Sequence, residues 1–253
     1  MLDIYSVLTV GALGAGAMFY AYYVNQQAAG PVSAQATPKP FPKAKRTTRA
    51  QSGLTALRAR AKIAYDDSNA DHQRLLQRLW TAMRPNQPYP GALSLAWRDL
   101  GFQGEEPATD FRGMGLLGLD ALVYAAEHHQ ADLIDRINRP NDDVFFYFFA
   151  IGGINIAETI LRLLEDEAAL ANAVLDREAD AATCFGRVVV DAWLQFDQVF
   201  ILYIQQFLAD GNPPELTIMQ FEQARQRFEA HYRDRMATLV ADGGETLSIL
   251  LAG

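Results

Sequence analysis

Apolar residues recur at three- and four-residue spacing along most of this chain, and no stretch alternates apolar and polar positions long enough to predict a strand. The pattern predicts a helix over 52–65 with Leu54, Leu57, Ala61 and Ala64 on one side. A second helix over 71–83 aligns Leu75, Leu76, Leu79, Trp80 and Met83. Pro85, Pro88 and Pro90 then force a loop, and a short helix over 93–100 carries Trp97. The next helix, 113–129, sets Leu116, Leu119, Leu122 and Val123 at helical spacing, with Gly115 and Gly118 leaving room for another backbone. Asn141, Asp142 and Asp143 form a helix start for 144–164, which is apolar all round in its first half and so reads as a central buried helix. Asn155 within it is expected to satisfy a backbone group. Residues 168–180 form an alanine-rich amphipathic helix. A long helix over 185–208 turns Phe185, Val188, Val189, Phe196, Phe200, Ile204 and Phe207 inward. Gly211, Asn212, Pro213 and Pro214 break it. Thr217 and Gln220 then form a capping box, with Leu216 and Phe221 as its hydrophobic staple, ahead of a last helix using Phe221, Ala224, Phe228 and Tyr232. The fold class is all-α, a single multi-helix globular domain over residues 51–253.

Two segments precede that domain. Residues 4–24 hold no charged side chain over 21 positions, about 30 Å of helix at ~1.5 Å per residue and enough to cross a bilayer core. Tyr20, Tyr22 and Tyr23 stand where interfacial aromatics belong. Residues 1–25 are therefore expected to be a single-pass anchor; a cleaved signal peptide, with Ala34-Gln35-Ala36 as its cleavage site, is the competing reading. Residues 26–50 are rich in Pro, Ala, Thr and Lys and read as an extended, unpacked basic tether. The basic residues follow the span and none precedes it, which puts the domain in the cytosol by the positive-inside rule.

Charge sharpens this division. Residues 26–65 contain eight Lys and Arg and no acid, whereas from Asp66 onward fourteen basic residues stand against twenty-nine acidic ones. An acidic body is a poor match for nucleic acid, and no nucleic-acid partner is expected. One cysteine, Cys184, excludes an intrachain disulfide and suits a reducing compartment. Four histidines without paired ligand spacing argue against a metal site, and no cofactor is expected.

The candidate chemistry lies in WRDLGFQGEEPATDFRGMG, residues 97–115. Gly101, Gly104, Gly113 and Gly115 surround Phe102, Phe111 and Arg112, a density that implies unusual φ/ψ or close backbone approach. Pro107 fixes a turn, and Thr109 or Asp110 is placed to cap the helix that follows. Arg112 would then stand in that helix's first turn, where free N–H groups and the positive dipole end suit an anion such as phosphate. Gln103 and Asp110 are accessory candidates, Gln103 either orienting a water or fixing the loop through backbone groups. The structural alternative for Arg112 is an ion pair with Asp110 or Asp120 that pins the helix start. Trp97, Phe102 and Phe111 read as core and loop anchors.

The pattern W-x3-GFQG-x2-P-x-TDFRG-x-G resembles the signature of the ELMO (engulfment and cell motility) domain, and more closely that of its ELMOD branch. FFAIGGINIAETILRLL, residues 148–164, resembles the family's second landmark, and the likeness runs over about residues 69–236. Leu100 stands where the family usually has isoleucine or valine, and Glu106 where it usually has aspartate. The resemblance implies a GTPase-activating protein for Arf and Arf-like small GTPases, with the arginine at position 112 catalytic. Such a protein activates another's hydrolysis and turns over no substrate of its own. The alternative is a non-catalytic membrane-tethered adaptor that binds a small GTPase or exchange-factor partner.

Overall fold

The computed structural model describes residues 39–137, 149–177, 180–211, 218–243 and 247, and all regular structure among them is helical. Eight α-helices follow one another: α1 (Thr48–Ala61), α2 (Ala70–Met83), α3 (Gly115–His128), α4 (Gln130–Ile137), α5 (Phe149–Asp166), α6 (Ala168–Leu175), α7 (Ala181–Ala209) and α8 (Ile218–Ala241). Two 3₁₀ helices, Leu95–Leu100 and Pro107–Gly113, lie between α2 and α3. The expected span at 4–24, the helix start at 141–143, the break at 212–214 and the capping box at 217–220 fall outside the described residues, apart from the helical backbone of 218–220. Among the described residues no helix is long and apolar enough to cross a membrane.

Helix α3 is the hub. It packs against α1, α2, α4, α5 and α7, and Leu116, Leu117, Leu119, Ala121, Leu122, Val123, Ala125 and Ala126 are all buried. Small residues permit this. A Cβ on Gly153 of α5 would strike the Trp193 ring of α7 and Leu122 of α3. One on Gly186 of α7 would stand 2.6 Å from the Tyr124 ring of α3. Helix α5 is buried along most of its length, as its apolar pattern predicts, and Asn155 Nδ2 donates 2.8 Å to the Ile151 carbonyl. At the far side, Phe196, Phe221, Phe228 and Tyr232 stack between α7 and α8.

Three sequence expectations move. Helix α1 begins four residues earlier than its apolar pattern, because Thr47 caps it: its Oγ1 accepts from Ala50 N at 3.0 Å. It ends at Ala61, leaving Ala64 exposed. Residues 39–47, expected to be unpacked, run along the helical body instead. Phe41 is buried with Arg233 over its ring, Lys39 N donates to Asp234 Oδ1 (3.1 Å), and Asn172 Nδ2 donates to the Lys45 carbonyl (2.9 Å). One aromatic side chain and a few satisfied backbone groups outweigh a tether-like composition here. Finally, the alanine-rich helix stops at Leu175, and Asp180 belongs to the start of α7, accepting from Ala182 N (3.2 Å) and Thr183 N (3.0 Å).

Candidate functional site

The signature is built on a chain of edge-to-face aromatic rings. Trp80 meets Trp97 (5.1 Å between centroids), Trp97 meets Phe102 (5.6 Å, 88°), and Phe102 meets Phe111 (5.8 Å, 88°). All four rings, those of Trp97, Phe102 and Phe111 included, are buried. Trp97 also donates from Nε1 to the Gly91 carbonyl at 2.9 Å, fixing the proline-rich loop.

Between these anchors the backbone is stapled to itself. Gly101 ends the first 3₁₀ helix at φ 76°, a left-handed cap suited to glycine, and its N–H donates 2.9 Å to the Arg98 carbonyl. Gln103 N donates 2.9 Å to Asp110 Oδ2, closing the loop over 103–110, and the Gln103 residue is exposed. Ser94 N donates 2.8 Å to the Glu105 carbonyl, tying the preceding loop to the signature. Pro107 is buried at the start of the second 3₁₀ helix, and the Thr109 N–H and hydroxyl both donate to the Glu106 carbonyl (3.1 and 2.9 Å).

The structure places Arg112 differently from its sequence expectation. It lies near the end of the second 3₁₀ helix, not in the first turn of α3, and Met114 separates the two elements with no side-chain cap on α3. Neither Thr109 nor Asp110 caps α3: Thr109 turns back to Glu106, and Asp110 accepts from Gln103. The N-terminus of α3 is also closed to an anion. Gly115, Leu116 and Leu117 are buried, and Leu116 N donates 2.9 Å to the Ile63 carbonyl just past α1. The carbonyl end of one helix thus meets the amide end of another, a pairing their dipoles favour. Asp120, one of the two carboxylates considered for Arg112, is bound by Arg60 through two hydrogen bonds of 2.6 and 2.9 Å, which raise the Arg60 pKa. The Arg112 side chain lies outside the described part of the structure.

The four signature glycines divide into two kinds. Gly101 needs its positive φ, and Gly115 has φ 48° with Ala61 and Ile63 carbonyl oxygens 2.5 Å from a Cβ position. Gly113 has ordinary φ and nothing within 4 Å, and a Cβ on Gly104 would come no closer than 4.0 Å to the Glu106 N. The density of glycines implied unusual φ/ψ or close backbone approach; of the four, Gly101 and Gly115 show it. Sequence reasoning also missed the Ser94–Glu105 bridge, which joins residues eleven positions apart and leaves no trace in periodicity.

With this geometry in view, the ELMO/CED-12 family model matches residues 55–225 of the chain. The chain belongs to the ELMO/CED-12 family. The ELMO domain's match begins inside α1 and ends inside α8, so the packed segment at 39–47 lies beyond it. Mouse ELMO domain-containing protein 2 is 42% identical over 107 residues, 42% of this chain and 36% of the relative. Dictyostelium discoideum ELMO domain-containing protein B is 33% identical over 174 residues, 69% of this chain and 57% of the relative. Human ELMO domain-containing protein 1 is 32% identical over 193 residues, 65% of this chain and 54% of the relative. These relatives put the ELMO domain described here on the ELMOD branch, and the chain spans between about a third and three fifths of their length. No solved structure matches it.

Proposed function

We propose that this ELMO domain is a GTPase-activating protein for an Arf-family or Arf-like small GTPase, with Arg112 entering the partner's nucleotide pocket. The observation that carries the reading is the setting of Arg112. Its backbone sits in a short 3₁₀ helix clamped from inside by Pro107 and Phe111, beside an exposed Gly113 whose missing Cβ no internal contact requires. A rigid base and an open neighbour suit a side chain that must approach another protein's phosphates. Membership of the ELMO/CED-12 family, and the likeness to ELMO domain-containing relatives, support the assignment.

The chemistry asked of Arg112 is charge stabilisation. GTP hydrolysis develops charge on the β/γ-phosphate oxygens, and an arginine supplied in trans accelerates it by about 10³ to 10⁵. That is roughly 4 to 7 kcal/mol at about 1.4 kcal/mol per decade. A planar, forked, always-charged donor is needed, so lysine is a poor replacement. Residues 4–24 are the proposed membrane anchor and the domain is proposed to face the cytosol, supported by the uncharged run and the basic residues after it.

The test is single-turnover GTP hydrolysis by a panel of Arf and Arf-like proteins with the full chain in detergent. Wild type should accelerate at least one of them, and Arg112→Lys should abolish this without shifting the melting temperature. Equal binding to GTP- and GDP-loaded partners with hydrolysis unchanged would replace the reading with the adaptor.

A further inference from the structure

Two polar residues are buried among the described ones, Thr159 and His72. Thr159 is accounted for by its own helix, since its hydroxyl donates 3.0 Å to the Asn155 carbonyl. His72 reaches outside its helix. It stands in the first turn of α2, and its Nδ1 accepts from Asp66 N at 3.0 Å. A ring nitrogen that accepts carries no proton, so this bond exists only in the neutral imidazole. It ties α2 to the loop 62–69 that joins α1 to α2. Gln73 Nε2 also donates to the Asp67 carbonyl, but that bond is exposed and water can replace it. The same loop lies against both sides of the turn that carries Arg112. The Tyr65 ring sits between His72 (5.8 Å between centroids) and Phe111 (6.2 Å). The Ile63 carbonyl accepts from Leu116 N (2.9 Å) and would stand 2.5 Å from a Cβ on Gly115. Residues 63–66 therefore touch the chain just before Arg112 and just after Gly113.

We propose that His72 is a positioning residue for Arg112: neutral, it holds the 63–66 loop against Phe111 and Gly115, and protonated, it releases that loop. The inference rests on the proposed function and adds to it a residue, remote from the nucleotide, on which the stimulated rate depends. On protonation the Asp66 N–H and the new Nδ1–H become two donors facing each other, and the bond is lost. The charged groups on the surrounding elements favour this exchange. The Ser68 hydroxyl, and then the Ser68 N–H, hold the Asp66 carboxyl below the usual carboxylate range, so it stays charged and attracts an imidazolium. Asp67 accepts from the Tyr65 hydroxyl (3.3 Å), and Asp71, beside His72 on α2, pairs with Arg74. Burial first pushes the Tyr65 and Tyr89 hydroxyls up, so both stay neutral. On the second 3₁₀ helix Asp110 accepts from Gln103 N, and on α3 Asp120 is bound by Arg60.

The experiment is single-turnover hydrolysis by the responsive GTPase with the full chain, as wild type, His72→Phe and His72→Asn, from about pH 7.5 to about pH 6. Phenylalanine keeps a ring and removes the acceptor; asparagine keeps an acceptor at the Nδ1 position and does not titrate. His72→Phe should lower the plateau rate about 10- to 100-fold, the scale of a displaced catalytic group, and leave the half-saturating concentration unchanged. His72→Asn should restore most of that rate. The ratio of wild-type to asparagine-variant rate should fall with acid, by at most about tenfold per pH unit for one linked proton. The pH dependence of the GTPase and of His128, His129 and His231 cancels in that ratio. Hydrogen exchange on the free protein reads the same contact without a GTPase: the Asp66 and Leu116 amides should lose protection in His72→Phe. A wild-type plateau in the phenylalanine variant overturns the inference, and so does a loss confined to the half-saturating concentration. A ratio that does not move with pH overturns it as well. Equal rate losses in both variants, tracking their melting temperatures, overturn it in favour of plain destabilisation. Exchange protection that survives in His72→Phe sinks this inference alone. Absence of stimulation by wild type across the whole panel sinks the functional reading and this inference with it.

Discussion

A Cβ on Gly115 would stand 2.5 Å from the carbonyl oxygen of Ala61. The end of α1 and the start of α3 are in backbone contact at this point, and the turn carrying Arg112 is the segment that leads into it. Gly115→Ala combines a positive φ of 48° with a clash against backbone that cannot rotate away. It should destabilise the domain by on the order of 3 kcal/mol, read as a fall in urea midpoint. Gly113→Ala, two residues earlier, meets no atom within 4 Å and should melt within about 0.5 kcal/mol of wild type. If Arg112 works as proposed, Gly113→Ala should nevertheless lower stimulated GTP hydrolysis. Equal melting losses in the two variants would contradict the assignment of the two glycine roles.

The segment at 39–47 is expected to behave as part of the domain. Removing residues 1–50 discards Phe41 and the Thr47 cap, whereas removing residues 1–37 keeps both. The shorter protein should be less stable by about 2 to 4 kcal/mol, from one buried aromatic and one lost cap. Chemical denaturation of the two truncated proteins measures this directly, and coincident curves would show that the segment contributes nothing.

Asp180 supplies an acid-sensitive cap. Hydrogen bonds from the Thr183 hydroxyl, and then from the Thr183 and Ala182 N–H groups, hold its carboxyl below the usual carboxylate range. A folded-state value below the unfolded one, about 3.9, adds stability above that pH, which is lost as pH falls through the folded value. Asp180→Asn keeps a capping oxygen and should match wild type at pH 7 while flattening the fall in melting temperature below about pH 4. Asp180→Ala should cost about 1 kcal/mol at pH 7. A wild-type acid slope in the asparagine variant would rule the group out.

Tyr232 links α7 and α8 through a part-buried carboxylate. Its hydroxyl donates 2.9 Å to Asp191 Oδ2, which also accepts from Arg235 (2.9 Å) and Gln195 (2.8 Å), and burial pushes the Asp191 pKa up. Tyr232→Phe removes one donor without changing ring packing and should cost about 1 to 2 kcal/mol. Thermal unfolding checks it, and an unchanged midpoint would mean that Arg235 and Gln195 satisfy the carboxylate alone.

Much of this was legible in the chain. The buried faces of α2 and α5, and of α7 from Phe185 to Phe196, follow from apolar spacing, because a helix in a small body must hide one stripe and the stripe shows at three- and four-residue intervals; the side chains of Ile204 and Phe207 lie outside the described residues. Asn155 was placed correctly because a short amide on a buried helix has few partners but the backbone. Position 93 was harder: Leu93 and Leu95 read as the start of a short helix, and periodicity does not say which side of a 3₁₀ turn faces out.

By itself the sequence determined the helical class, the aromatic anchors of the signature and the family to which that signature belongs, since each is written in residue types at short spacing. Only the tertiary structure decided that Arg112 sits on a 3₁₀ turn ahead of α3, that the amide end of α3 is closed by Ile63, and that Phe41 belongs to the core. The last two depend on segments far apart in the chain coming within hydrogen-bonding or van der Waals reach, and local pattern carries no record of such meetings.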